Sequence, residues 1–169
     1  GRVVKLFKPE HCVYRGQLLG CSVEEFGAEA FLYIGDGQFH PKALVIKNNK
    51  PVFAYNPFNK KYSKLNTKDV EKLRKRMMGG ISKFLTSENI GVLTSSKKGQ
   101  YRIKDIEKLR EKYKDKNFYI FLFDTLDFSS LEDFNFVDLW INAACPRIID
   151  DYDKFESAVV NIRDVLSLE

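Results

Sequence analysis

Three cysteines, Cys12, Cys21 and Cys145, are the side chains of this 169-residue chain best suited to hold a soft metal or to attack an electrophile. Their number is odd and no two stand at CxxC spacing, which argues against a disulfide framework and against a zinc knuckle. Cys145 has the most suggestive surroundings, Asn142-Ala143-Ala144-Cys145-Pro146-Arg147, directly after the apolar run Val137-Asp138-Leu139-Trp140-Ile141. Pro146 removes a backbone donor and fixes one dihedral, so it ends the strand and holds the thiol in a rigid turn. Arg147 brings a permanent positive charge into the same turn, the kind of neighbour beside which metal-binding and nucleophilic thiolates occur. The competing reading is a buried cysteine with no chemistry.

Cys21 follows Gly16-Gln17-Leu18-Leu19-Gly20, where two glycines mark a turn at which the backbone comes close to something. Cys12 stands beside His11, but adjacent residues rarely face one site and no second pair completes a tetrahedral centre, so it reads as a structural or surface cysteine. The loop Gly35-Asp36-Gly37-Gln38-Phe39-His40-Pro41 joins an apolar run to a helical segment. His40 either caps that helix or, with the loop amides, meets an anionic ligand group. A second loop, Thr94-Ser95-Ser96-Lys97-Lys98-Gly99-Gln100, lacks Walker spacing and reads as a surface turn before a binding site. With two histidines and no HExxH, GxSxG or GxGxxG, hydrolase and simple dehydrogenase chemistry have little support.

These residues need elements to position them. Phe31-Leu32-Tyr33-Ile34 and Pro51-Val52-Phe53-Ala54-Tyr55 read as buried strands around a helix from His40 to Ile46, a parallel pair with a right-handed crossover. The polar stretch from Asn56 to Thr67 reads as a boundary between two lobes. A long helix follows, with Val70, Leu73, Met77, Ile81, Phe84 and Leu85 on one face, and the Gly79-Gly80 pair inside it marks a kink or a close approach. Then come a strand at 90–93, a helix at 103–113, a strand at 118–123, a short helix within 126–134, and strands at 137–141 and 159–162. Alternating strands and helices give an α/β fold, parallel sheets flanked by helices, with ligands gathering at the carboxyl ends of the strands.

Composition sets wider bounds. An apolar share of 44% with 14 Phe and 8 Tyr is that of a folded protein with an aromatic-rich interior. The net charge of +5 comes from 28 basic residues dispersed among 23 acidic ones, a solvated surface more than a nucleic-acid footprint. There is no apolar window of membrane-spanning length and no signal-peptide pattern, so the expected location is the cytoplasm, without direct contact to membrane or nucleic acid.

Five segments taken in order carry a resemblance: Gly16–Cys21, Tyr33–Pro41, Ala54-Tyr55-Asn56-Pro57, Lys97-Lys98-Gly99-Gln100 and Trp140–Arg147. Together they resemble the diphthamide synthesis family in its archaeal form, in register over essentially the whole chain. The resemblance implies three related α/β lobes, each giving one cysteine to a central 4Fe-4S cluster, with Cys21 and Cys145 as the second- and third-lobe ligands. It implies residues 1–60 as the C-terminal part of the second lobe and 61–169 as the third, the first lobe being absent, so that the chain is a truncation, a split subunit or a partial polypeptide. It further implies S-adenosylmethionine as substrate, a 3-amino-3-carboxypropyl transferase of non-canonical radical type, and elongation factor 2 as the modified partner. Arg147 and His40 are then candidates for contacting S-adenosylmethionine. The third cysteine would come from a first-lobe segment or a second subunit, and the full-length form would be a homodimer. A non-catalytic companion subunit and an anion-binding α/β module without a cluster are the alternatives.

Overall fold

The computed structural model describes residues 3–10, 12–19, 23–37, 39–65 and 67–168. His11, Gly20, Cys21 and Gln38 lie outside the described residues, as do the side chains of Val70 and Leu73. The chain divides into two compact units, Gly1–Arg74 and Lys75–Glu169.

In the first unit, β1 (Phe31–Ile34), α1 (Phe39–Asn48), β2 (Val52–Asn56) and β3 (Lys61–Lys64) form a three-stranded sheet in the order β1-β2-β3. β1 and β2 are parallel, with Phe31 opposite Val52, and α1 makes the crossover expected from the sequence. β3 is antiparallel to β2 and occupies part of the polar stretch read as a boundary. Its turn is built by asparagines: Asn56 Oδ1 accepts the Phe58 amide at 2.9 Å, and Asn59 Oδ1 accepts that of Lys61 at 3.0 Å. Phe31, Leu44, Val45, Val52, Ala54 and Leu65 make the core. Asn48 ties the preceding segment to the end of α1, accepting from the Phe26 amide at 2.7 Å and donating to Glu24 O at 3.0 Å. On the opposite face of the sheet, Leu32, Ile34 and Tyr62 are exposed.

The helix α2 (Thr67–Thr86) carries the chain into the second unit, where β4 (Asn89–Ser95), α3 (Ile103–Lys112), β5 (Asn117–Phe123), β6 (Leu139–Asn142), β7 (Val159–Asn161) and α4 (Ile162–Leu166) follow. Tight 3-10 segments stand at Ser129–Asp133 and Pro146–Lys154. The sheet order is β5-β4-β6-β7, with every pairing parallel. Central strands of such a sheet are buried on both faces, which is why they read as unbroken apolar runs. On one face Ile90, Val92, Leu139 and Ile141 meet Phe84, Ile106, Leu109 and Val165 from the helices. On the other, Leu93, Val137 and Trp140 pack with Phe121, Phe134 and Phe155.

α2 runs through Gly79-Gly80, and only the second of the pair serves close approach: a Cβ at Gly80 would lie 2.4 Å from Val160 Cγ1, while one at Gly79 would meet open space. Leu85 departs from the expected apolar face and is exposed. The end of α2 is held by Lys116, whose ammonium donates to Ser87 O at 2.7 Å and Leu85 O at 3.2 Å, a cation satisfying the last carbonyls of a helix.

Gly91 lies beneath Trp140, and a Cβ there would meet the indole Cε3 and Cζ3 at 2.4 Å. Gly91→Ala is expected to destabilise the second unit by about 1–3 kcal/mol, because the ring has packed neighbours on its other side. The shift in the urea midpoint, followed by Trp140 fluorescence, measures it. Among the described residues no helix is long and apolar enough to cross a membrane.

Candidate functional site

The second unit gathers its chemistry at the carboxyl ends of β4 and β6. Parallel pairing sets Leu93 beside Asn142, and the Ala143 amide continues the ladder by donating to Leu93 O at 2.7 Å. Cys145 follows three residues beyond the end of β6, as a free, half-buried thiol at the start of the Pro146–Lys154 segment. It thus stands at the sheet edge where the sequence placed it, and where ligands collect in this class of fold.

The turn carrying Cys145 is built around Asn142, a buried polar residue at the end of an apolar strand. Asn142 Oδ1 accepts the Ala144 amide at 3.0 Å, while its Nδ2 donates to Cys145 O and to Asn161 Oδ1, both at 2.8 Å. Cys145 O also accepts the Ile148 amide at 3.0 Å, so both its lone pairs are engaged. One residue past the Leu93–Asn142 pair, Thr94 is buried on β4, and its Oγ1 has no hydrogen-bond partner among the described residues. Buried hydroxyls are ordinarily paired, so an unpaired one at a sheet's carboxyl edge is a group available to a ligand. Neither residue was singled out from sequence. The available signal was an Asn and a Thr at the ends of otherwise apolar buried strands.

Arg147 is half-buried within the same 3-10 segment, two residues beyond Cys145. The Thr94–Gln100 loop is a closed turn: the Lys97 amide donates to Ser95 Oγ at 3.2 Å and the Gln100 amide to Lys97 O at 3.0 Å. Those two amides are spent within the turn, which is exposed from Ser96 to Gly99, while Thr94 and Ser95 are buried at the end of β4.

In the first unit, His40 is half-buried in the first turn of α1, its ring 6.4 Å from that of Tyr33. The loop before it brings its own carboxylate. Asp36 Oδ1 accepts from the Gly37 amide at 2.8 Å and from Asn56 Nδ2 at 2.7 Å, and Gly37 has φ +71°. Burial, and then the charge of Asp36, push the Tyr33 phenol above its ordinary pKa. Cys12 is buried, in keeping with a structural role. Cys21 lies outside the described residues, so of the two expected ligands only Cys145 has a described setting. Among the described residues, no three His, Cys, Asp or Glu side chains come together in a way that would hold a metal ion.

Residues 2–167 match the family described as "Putative diphthamide synthesis protein". The chain belongs to that family. This diphthamide synthesis chain is 36% identical over 148 residues to the 2-(3-amino-3-carboxypropyl)histidine synthase of Methanocaldococcus jannaschii, covering 84% of the chain and 43% of the relative. It is 33% identical over 156 residues to the Pyrococcus horikoshii protein of the same name, covering 89% and 44%. Subunit 1 of the Schizosaccharomyces pombe synthase is 29% identical over 143 residues, covering 81% and 33%. The chain therefore spans less than half the length of the curated relatives it matches. Its fold is similar to the crystal structure of Dph2 from P. horikoshii with a 4Fe-4S cluster, with a TM-score of 0.78 and 28% identity, over 96% of this chain and 49% of that one.

Iron-sulfur clusters are held by cysteine thiolates. A half-buried thiol on a fixed turn fits one corner of such a group.

Proposed function

We propose that this diphthamide synthesis chain supplies two thiolates, Cys21 and Cys145, to a 4Fe-4S cluster in an enzyme that transfers a 3-amino-3-carboxypropyl group from S-adenosylmethionine to a histidine of elongation factor 2. The observation that carries the reading is the setting of Cys145, a free thiol held at the carboxyl edge of a parallel sheet. Its support from relatives is the printed name of the archaeal synthases and the cluster in the solved Dph2. When bound, the cluster would supply one electron to S-adenosylmethionine, so that the bond from sulfur to the γ-carbon breaks to give methylthioadenosine and a 3-amino-3-carboxypropyl radical, and the histidine adduct would then lose a proton and return one electron to the cluster.

This chain's own residues have the remaining tasks. Cys21 and Cys145 would anchor two irons of the cluster, and with a third thiolate supplied from elsewhere one iron would be left as the position for substrate. Arg147 is the candidate to meet the substrate carboxylate from the Cys145 turn. His40 is the second candidate for that contact. In this reading residues 1–60 are the C-terminal part of a second lobe and residues 61–169 are a third lobe. The third thiolate comes from a further lobe or subunit, and the assembled enzyme works in the cytoplasm as a homodimer.

A companion-subunit reading draws on the relatives named subunit 1, since a numbered subunit implies a partner. One experiment separates the two. The chain is assembled anaerobically with the segment that supplies the third thiolate, and transfer to elongation factor 2 is assayed with Cys21→Ala and Cys145→Ala singly. Loss of transfer in both is expected, together with loss of the brown colour. Undiminished transfer in either variant contradicts the catalytic reading, and a colourless wild-type assembly contradicts the cluster.

A further inference from the structure

The hydrogen bonds around β6 assign a role to Asn142 beyond filling the end of a strand. We infer that Asn142 is a positioning residue, which with Asn161 fixes the backbone of Cys145 and so sets where the thiol is presented. The inference rests on Cys145 being a cluster ligand only for its functional consequence; the positioning itself stands on the geometry of this chain.

The orientation of the Asn142 amide is dictated by groups that cannot change role. The Ala144 amide is a donor, so the oxygen of Asn142 must face it; the Cys145 carbonyl is an acceptor, so the nitrogen must face that. The second hydrogen of Nδ2 then requires an acceptor, and Asn161 supplies Oδ1 at 2.8 Å. Asn142 lies opposite Asn161 in the β6-β7 pairing, so this bond crosses between neighbouring strands. It also explains why Asn161, placed at the N-cap of α4, makes no side-chain cap bond there: its oxygen is committed to Asn142. One buried carboxamide thus joins β6, the turn 143–145 and β7.

For Cys145 the consequence is specific. Its carbonyl is held by Asn142 Nδ2 from one side and by the Ile148 amide from the other, and Pro146 restricts the following φ. The backbone is therefore fixed at the residue, and the sulfur's position is left to the Cys145 side-chain rotation alone. Outer-shell partners that orient a metal ligand typically matter by roughly 10–100-fold in affinity or activity.

The chemistry distinguishes two isosteric substitutions. Asn142→Asp keeps the shape but replaces the Nδ2 donor by an oxygen, which then faces the Cys145 carbonyl and Asn161 Oδ1, acceptor against acceptor. Asn161→Asp keeps an acceptor where one is needed and sets a negative charge at the start of α4, where the helix dipole favours it. The first should release the turn, and the second should preserve it.

The test is the rate at which iodoacetamide alkylates Cys145 in the cluster-free chain at one fixed pH, resolved from Cys12 and Cys21 by peptide mass spectrometry. Asn142→Asp is expected to speed labelling of Cys145 by roughly tenfold, the factor that corresponds to about 1.4 kcal/mol for a lost buried hydrogen bond, with Asn161→Asp close to the parent. Trp140, the only tryptophan in the sequence, reports in the same samples that the second unit is folded. Should Asn142→Asp fail to fold, Asn161→Ala decides, since it removes the acceptor alone and should speed labelling in the same direction. Unchanged labelling in a folded Asn142→Asp or Asn161→Ala variant overturns the inference. In the assembled cluster-bearing protein, Asn142→Asp should also alter the electron paramagnetic resonance spectrum of the reduced cluster, and Asn161→Asp should leave the parent spectrum unchanged. Faster labelling with an unaltered spectrum would uphold the positioning of Cys145 and count against Cys145 as a ligand, so the two claims fail separately.

Discussion

Replacing Cys145 by Ala is expected to remove the cluster and to lower aminocarboxypropyl transfer by more than the roughly 100-fold that bounds the loss of an outer-shell partner. The fold should survive. Cys145 is only half-buried, and the hydrogen bonds of its turn run through its carbonyl and the Asn142 side chain, neither of which the substitution touches. The stability cost should therefore be about 1 kcal/mol or less, within the ordinary range for a truncation at a partly exposed position. Iron content, visible absorption and single-turnover transfer, measured on the same anaerobic preparation, separate a lost ligand from a lost fold. A variant that keeps its iron and its transfer rate would show that Cys145 is a bystander.

Phe84→Ala should have the largest effect on stability, about 3–5 kcal/mol, out of the 5–15 kcal/mol that a domain typically possesses. Phe84 is fully buried at the end of α2, against the helix-side face of the second sheet. Its ring meets Tyr113 edge to face at a centroid distance of 4.9 Å, and the Lys116 ammonium stands 5.1 Å above it. The same ammonium closes the C-terminal carbonyls of α2, so truncation both opens a cavity and loosens the helix end. Urea unfolding followed by Trp140 fluorescence measures the loss. A cost below about 1 kcal/mol would mean that the site collapses around the smaller side chain and that Phe84 is not the keystone its burial indicates.

Strands at 31–34, 90–93 and 118–123 were legible from their apolar runs, and the structure places β1, β4 and β5 there, although only β4 is buried along nearly its whole length while β1 and β5 leave Leu32, Ile34, Tyr119, Ile120 and Leu122 exposed. β3 was not legible, since all four of its residues, Lys61-Tyr62-Ser63-Lys64, face solvent and its turn is built from asparagine side chains. The strand expected at 137–141 begins at Leu139, because Asp138 is used otherwise: its carboxylate accepts the Asn89 amide at 2.8 Å and fixes the start of β4. The run 159–162 divides at Asn161, after which the chain turns into α4. Nothing in apolar periodicity marks that break.

Of the site, the position of Cys145 at the strand end followed from Pro146 and the preceding apolar run. The role of Asn142 did not, because its partners lie at 144, 145 and 161 and only the fold brings them together. The unpaired hydroxyl of Thr94 was equally invisible, since a Thr at the end of a strand has no sequence mark to tell it from a paired one.

The decisive measurement is the location of iron by anomalous X-ray scattering from anaerobically grown crystals of the assembled protein. One iron-sulfur centre bonded to the sulfurs of both Cys21 and Cys145 is the predicted result. Iron bound to neither sulfur, or sulfurs that lie in separate places with no shared centre, would contradict it.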